Sequence, residues 1–244
     1  MEEQALRITP DMLIRRRVDF ERRMRRLPPV TLAIIGALVA IFALEIGLEI
    51  LDSPEALLLA GALSREAVMA GEWWRLVSAI FLHGGLQHII GNAIALLVLG
   101  MVCEHAFGRA QLVFLFVLTG IAGSVLSMLT SPGPSVGASG AIFGLQGAAV
   151  VLFRRHRERL LVRDRRIGMV LIVWAVYTIA QGLVTPYVDN GAHVGGFLAG
   201  MVLASGLHPI VIEPPSAEAR VAIRRRAWLT AILLAGAGVG WLFR

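Results

Sequence analysis

A chain of 244 residues with 57% hydrophobic and only 16% charged residues does not have the make-up of a soluble domain, where charged residues reach roughly 25%. So little polarity excludes a disordered or nucleic-acid-coating protein, and a single cysteine, Cys103, excludes an intrachain disulfide framework. The net charge of +6 rests on arginine alone, and the arginines stand in blocks between apolar runs, which is the pattern of membrane topology rather than of a nucleic-acid surface.

The chain opens on an Arg-rich stretch, 1–29, that runs straight into a full-length apolar segment with no small-residue cleavage site, so it is not read as a signal peptide. From Met12 to Leu27 arginines mix with Leu13, Ile14, Val18, Phe20 and Met24. That mixture fits an interfacial helix on an anionic leaflet or, the preferred reading, a plain positive-inside anchor. A bilayer core of about 30 Å takes about 20 helical residues. Apolar runs at 30–50, 86–103, 111–130, 139–153, 167–185, 191–208 and 227–243 therefore predict seven spans of an all-α, polytopic transmembrane helical bundle.

Near the end of span one, Glu45 and Glu49 are four residues apart; the preferred reading is an interfacial helix end continuing into Asp52 and Glu55, the other a paired carboxylate. The long loop 51–85 contains Trp73 and Trp74, residues that favour the membrane interface, and Arg75, expected to hold the loop through backbone carbonyls or lipid headgroups. His105, His156 and His208 fall at span ends and are read as solvated, and Trp228 and Trp241 as belt residues around span seven. Twenty of the 23 arginines fall in the N-terminal tail and in alternate loops, leaving Arg65, Arg75 and Arg244 on the other side. The bias predicts a cytoplasmic N-terminus and an external C-terminus, in agreement with an odd number of spans and with a bacterial inner or plasma membrane.

Polar residues within the spans are the informative ones. His88 and Asn92 share one face of span two, Ser139 opens span four, and His193 lies just inside span six, all at a similar depth near the outer side. Gly140/Gly144, Gly191/Gly195 and Gly196/Gly200 are small-xxx-small pairs that allow close approach of spans four and six, which would bring His193 to Ser139 as its base. The start of a helix at Ser139 supplies free N–H groups, and His88 and Asn92 add side-chain donors, the ingredients of an oxyanion hole. His83 is read as orienting a loop or water, or as merely interfacial. His83 and His88 lack a third ligand nearby, so no metal is expected.

These residues resemble the rhomboid intramembrane serine proteases. The resemblance is carried by Gly137-Ala138-Ser139-Gly140, by Ala192-His193-Val194-Gly195-Gly196, by His83, His88 and Asn92 in the 83–92 segment, by Glu72-Trp73-Trp74-Arg75 and by Glu104. It covers roughly 30–208 and implies a Ser139/His193 dyad without a third acid. It also implies His88, Asn92 and the Ser139 N–H as oxyanion donors, a membrane-protein substrate and no cofactor. On this reading 30–208 is a six-span catalytic core, 209–226 a linker and 227–244 an appended seventh helix. Phe143 stands where some relatives carry tyrosine stacked on the catalytic histidine, so stacking is expected to survive without the hydroxyl. Two alternatives stand beside the protease: a non-catalytic relative that binds transmembrane segments, which loss of the serine or histidine would mark, and a His88/His193 proton relay in a transporter, which would need internal symmetry.

Overall fold

Each of the seven apolar runs forms a helix. In the computed structural model, which describes residues 17–131, 133–185 and 188–243, a single turn at Phe20–Arg23 (α1) leads into the first long helix, Pro29–Gly47 (α2). The loop after it carries Pro54–Ala60 (α3), Arg65–Met69 (α4) and Arg75–Ser78 (α5). The remaining helices are Leu86–Phe107 (α6), Arg109–Thr130 (α7), Ser139–Arg155 (α8), Ile167–Val184 (α9), Asn190–Ser205 (α10) and Ala217–Leu242 (α11). Among the described residues there is no strand, only isolated bridges pairing Val18 with Leu160 and Leu63 with Ser135. Arg7, Arg15, Arg16 and Arg244 of the charge count lie outside the described residues.

The helix starts follow from local chemistry. Pro29 sits at the first position of α2, where a missing N–H costs nothing. Glu104 completes that cap from α6: its carboxylate accepts from Val30 N at 3.1 Å and from Thr31 N and Thr31 Oγ1 at 2.8 Å each, placing negative charge on the positive end of the helix dipole. Ser216 accepts from Ala219 N at 3.1 Å and lets α11 begin at Ala217, so the expected linker is helical from there and the apolar run from 227 is only the later part of a 26-residue helix.

α8 is the hub of the bundle, packed by α6, α7, α9 and α10, while α2 leans on α6, and α11 on α7 and α5. Pro29–Gly47, Leu86–Phe107, Arg109–Thr130 and Asp164–Val184 are long and apolar enough to cross a membrane by length and composition. α8 and α10 are shorter, at 17 and 16 residues. Large apolar side chains stand exposed along the periphery, among them Val39, Ile46, Val173, Tyr177, Ile232 and Val239. An outer face of that kind is at home against acyl chains, since helix interiors satisfy their own N–H and C=O groups.

The described end of the tail docks on the protein. Val18 N donates to Arg159 O at 2.7 Å and Leu161 N to Val18 O at 3.2 Å, joining the tail to the loop between α8 and α9. Phe20 is fully buried, edge-on to Phe153 with ring centroids 5.1 Å apart, and its N–H donates to the buried Asp164 carboxylate at 3.0 Å. Arg163 pairs with both Asp19 and Glu21. Val18, Phe20 and Met24 thus pack on the core, while Leu27 is exposed.

Candidate active site

Ser139 is the first residue of α8, half-buried, and its chain enters the helix through Gly137 at φ 124°. That left-handed conformation favours glycine, and space demands it as well. A Cβ on Gly137 would lie 2.5 Å from His88 Cε1, 2.7 Å from His88 Nε2 and 3.5 Å from Asn92 Nδ2. The face of α6 that carries His88 and Asn92 is thus pressed against the backbone two residues before the serine. Gly137 N donates to Ala79 O at 2.8 Å, tying the same backbone to the end of α5. A small cavity beside the serine is lined by Ser124, Ser135, Val136, Gly137 and Gly140.

From the other side comes α10. A Cβ on Gly196 would stand 1.9 Å from Gly140 O, one on Gly200 1.9 Å from Gly144 O, and one on Gly147 2.2 Å from Phe197 O. The two helices therefore touch backbone to backbone. Gly140 also lies against Ala192 O, so this contact begins beside both Ser139 and His193. The pair Gly191/Gly195, expected to serve the same approach, faces α7 instead: added Cβ atoms would meet Thr130 Oγ1 at 2.0 Å and Leu126 Cβ at 2.8 Å. His193 is buried and stacked on Phe143, with centroids 4.3 Å apart and planes 14° off parallel. Its Nδ1 has no hydrogen-bond partner among the described residues. The nearest acid in sequence, Asp189, is engaged elsewhere: its carboxylate accepts from Ala192 N at 2.9 Å, from Ser131 Oγ at 2.9 Å and from Ser127 Oγ. No hydrogen bond joins Ser139 Oγ to His193 among the described residues. Such bonds are often formed or tightened only when substrate is bound.

Behind α6 lies a layer that the sequence did not disclose. His83, read as supporting or interfacial, is fully buried, its Nε2 3.0 Å from Asn92 Nδ2 and its ring edge-on to His88 at 5.1 Å. The Glu45 carboxyl receives the His83 backbone N–H at 3.0 and 3.3 Å. Glu45 is buried, so the interfacial reading of the Glu45/Glu49 pair is corrected for Glu45, while Glu49 is exposed in the turn after α2. Nothing in the spacing of the two acids separates them.

Arg75 behaves as expected of it. It is buried, with Nη1 donating to Leu58 O at 2.5 Å and Ala62 O at 2.8 Å, Nε on Glu72 Oε2 at 2.6 Å, and its guanidinium 4.7 Å from the Trp74 ring centroid. These bonds brace the first loop. Of the two tryptophans only Trp73 is exposed; Trp74 is buried beneath the loop and α11. Trp228 is exposed as a belt residue would be, whereas Trp241 Nε1 donates to Ala60 O at 3.2 Å. His105, His156 and His208 are half-buried, and one ring nitrogen of His105 bonds Met101 O and one of His208 bonds Glu213 O.

Residues 70–210 match the Rhomboid domain. The chain belongs to the rhomboid family. Rhomboid protease GluP of Bacillus subtilis (strain 168) is 35% identical over 189 residues, covering 78% of this chain and 35% of that protein. RHOMBOID-like protein 5 of Arabidopsis thaliana is 45% identical over 147 residues, 59% of this chain and 47% of that protein. RHOMBOID-like protein 4 of the same plant is 39% identical over 141 residues, 57% and 35% of the two chains. The chain thus spans between a third and a half of the length of these rhomboid relatives. Membership and the apolar helices together make this a multi-pass integral membrane protein of a family that includes intramembrane serine proteases. The matched stretch runs from the first loop through α10 and holds Trp74, Arg75, His83, His88, Asn92, Ser139, Phe143 and His193; Glu45 and α11 fall outside it.

Proposed function

We infer that this rhomboid protein is a serine endopeptidase that cuts transmembrane segments of other membrane proteins near the outer face of the bilayer. The observation that carries the reading is the convergence at the start of α8: His88 and Asn92 against Gly137 on one side, and the glycine-mediated contact with α10 that begins beside His193 on the other. Ser139 Oγ attacks the scissile carbonyl while His193 takes its proton. The negative charge that builds on the carbonyl oxygen is met by the Ser139 N–H, free at a helix start, and by His88 and Asn92. His193 returns the proton to the leaving amine. Water then hydrolyses the acyl-serine with His193 acting again as base. No step calls for a metal or cofactor. With Asp189 occupied by Ser127, Ser131 and the α10 cap, and Phe143 stacked on the ring, two residues form the catalytic unit and packing holds the base.

A helical peptide bond is shielded and hydrogen-bonded, so the substrate has to unwind locally, and small or helix-breaking residues are expected near the cut. In the chain, 30–208 is taken as the six-span core, with the tail in the cytoplasm and α11 appended behind the first loop. The test is purified protein in liposomes with a model transmembrane substrate. Wild type yields two fragments and Ser139→Ala, equally folded, yields none. Equal turnover in the two would remove the nucleophile, and tight binding of the segment without cleavage by wild type would favour the non-catalytic relative.

A further inference from the structure

Glu45 is the only ionisable residue in α2, and it is buried in the last turn of that helix. Both circumstances work against a carboxyl group. An ionisable side chain inside a membrane bundle is costly, and the C-terminal end of a helix carries the negative end of the dipole. No ion pair offsets this among the described residues. What the group gains is one backbone donor, the N–H of His83, shared between its two oxygens at 3.0 and 3.3 Å.

His83 is where that bond has its effect. Its ring is fully buried, and Nε2 lies 3.0 Å from Asn92 Nδ2. An amide nitrogen only donates, so with Asn92 Nδ2 as the donor Nε2 is the acceptor and the ring proton falls to Nδ1, which has no hydrogen-bond partner among the described residues. One of the two Asn92 N–H groups is thereby occupied. The other remains for the side on which Asn92 and His88 meet Gly137, beside the serine. Rotation of the amide is restrained by the imidazole, and the backbone that carries the imidazole is pinned by Glu45.

We propose that Glu45 is a positioning residue for peptide-bond cleavage: through His83 it aims the Asn92 amide at the developing oxyanion. The proposal rests on the protease reading above and adds to it a residue of α2, outside the matched domain. A donor displaced by a fraction of an ångström loses part of its worth rather than all of it.

The test uses the full chain in liposomes with a model transmembrane substrate. Glu45→Gln keeps an oxygen acceptor of the same reach, and its kcat stays within twofold of wild type. Glu45→Asp withdraws the acceptor by one methylene, and kcat falls about tenfold at unchanged KM, a part of the roughly 10²–10³ that a deleted oxyanion donor costs. In an Asn92→Ala background Glu45→Asp has no further effect, because the group it aims is gone. His83→Ala, which breaks the link without touching α2, lowers kcat likewise and is equally silent on Asn92→Ala. Losses that multiply with Asn92→Ala, a change confined to KM, or an aspartate variant within twofold of wild type would overturn the proposal. The two side-chain amide proton signals of Asn92, assigned by their disappearance in Asn92→Ala, report the aim without any turnover. They move in Glu45→Asp and stay in Glu45→Gln; signals unmoved in the aspartate variant overturn the relay. A wild type that cleaves nothing overturns the protease reading instead and leaves these signals to decide the role of Glu45.

Discussion

A serine hydroxyl becomes a useful nucleophile only beside a base, and the base must be held in the right place. In the proposed mechanism the holding is done by a ring face. Phe143 is one turn past Ser139 on α8, so the residue that stacks on His193 and the residue that His193 would deprotonate share one rigid support. Groups that work as a unit give losses that do not add. His193→Ala should therefore be as damaging to turnover as Ser139→Ala, and the double variant no slower than either, measured on one transmembrane substrate. If the double variant shows the product of the separate losses, the two residues act independently. Asp189→Ala, by contrast, should cost stability of the α10 start on the order of 1 kcal/mol, as lost caps do, with kcat little changed. Severity equal to His193→Ala would reveal a third catalytic member.

At the scale of the element, glycine spacing decides how near two helices come. Small-xxx-small pairs permit backbone contact, and α8 and α10 use it over two turns, Gly140 against Gly196 and Gly144 against Gly200. A methyl at 196 would fall 1.9 Å from a carbonyl oxygen, which cannot swing aside as a side chain would. Gly196→Ala should lower the thermal unfolding midpoint by an amount corresponding to about 1–3 kcal/mol, the usual cost of overpacking, and abolish turnover by separating the two halves of the site. Gly36→Ala in α2, where nothing lies within 4 Å of the added carbon, is the control, and should unfold at or above the wild-type midpoint. A Gly196→Ala protein as stable and active as wild type would mean that the contact is not needed. The same spacing in Gly191/Gly195 shows the limit of the motif: it marks a close approach but not the partner, here α7.

Over the whole molecule two asymmetries coincide. Exposed apolar side chains run along α2, α9 and α11, and arginine is concentrated in the tail, in the loop between α8 and α9 and ahead of the later half of α11. The docking of Phe20 and Asp19 on Asp164 and Arg163 puts the described arginines of the tail and those of the loop at one end of the bundle. Charge bias of this kind sets orientation; with the tail in the cytoplasm as proposed, seven crossings would put the C-terminus outside. A cysteine appended after Arg244, in a Cys103→Ser background, should react with a membrane-impermeant thiol reagent on intact cells. Cys103 itself is buried, with its thiol on Leu145 O, and should stay unlabelled in wild type. Protection of the appended cysteine until the membrane is permeabilised would reverse the assigned orientation.

What the amino-acid sequence determined by itself was everything that depends on length, type and short spacing. Apolar runs long enough to be helical were legible as seven helices, His88 and Asn92 as one helix face, and Ser139 as a helix start. The tertiary structure decided what depends on which surfaces meet. Glu45 and Glu49 read alike in the chain; packing of α2 against α6 buried the first beside His83 and left the second in a turn. Phe20 reads as part of a basic amphipathic tail, and became core only because Phe153 and Asp164, more than 130 residues away, close over it. Trp73 and Trp74 are neighbours of identical type, yet only the second is covered, by a loop braced through Arg75 and by α11. Periodicity and residue type are local properties, whereas burial is a property of pairs of distant segments. A polar residue therefore announces that it needs a partner long before anything in the chain can say which partner it has.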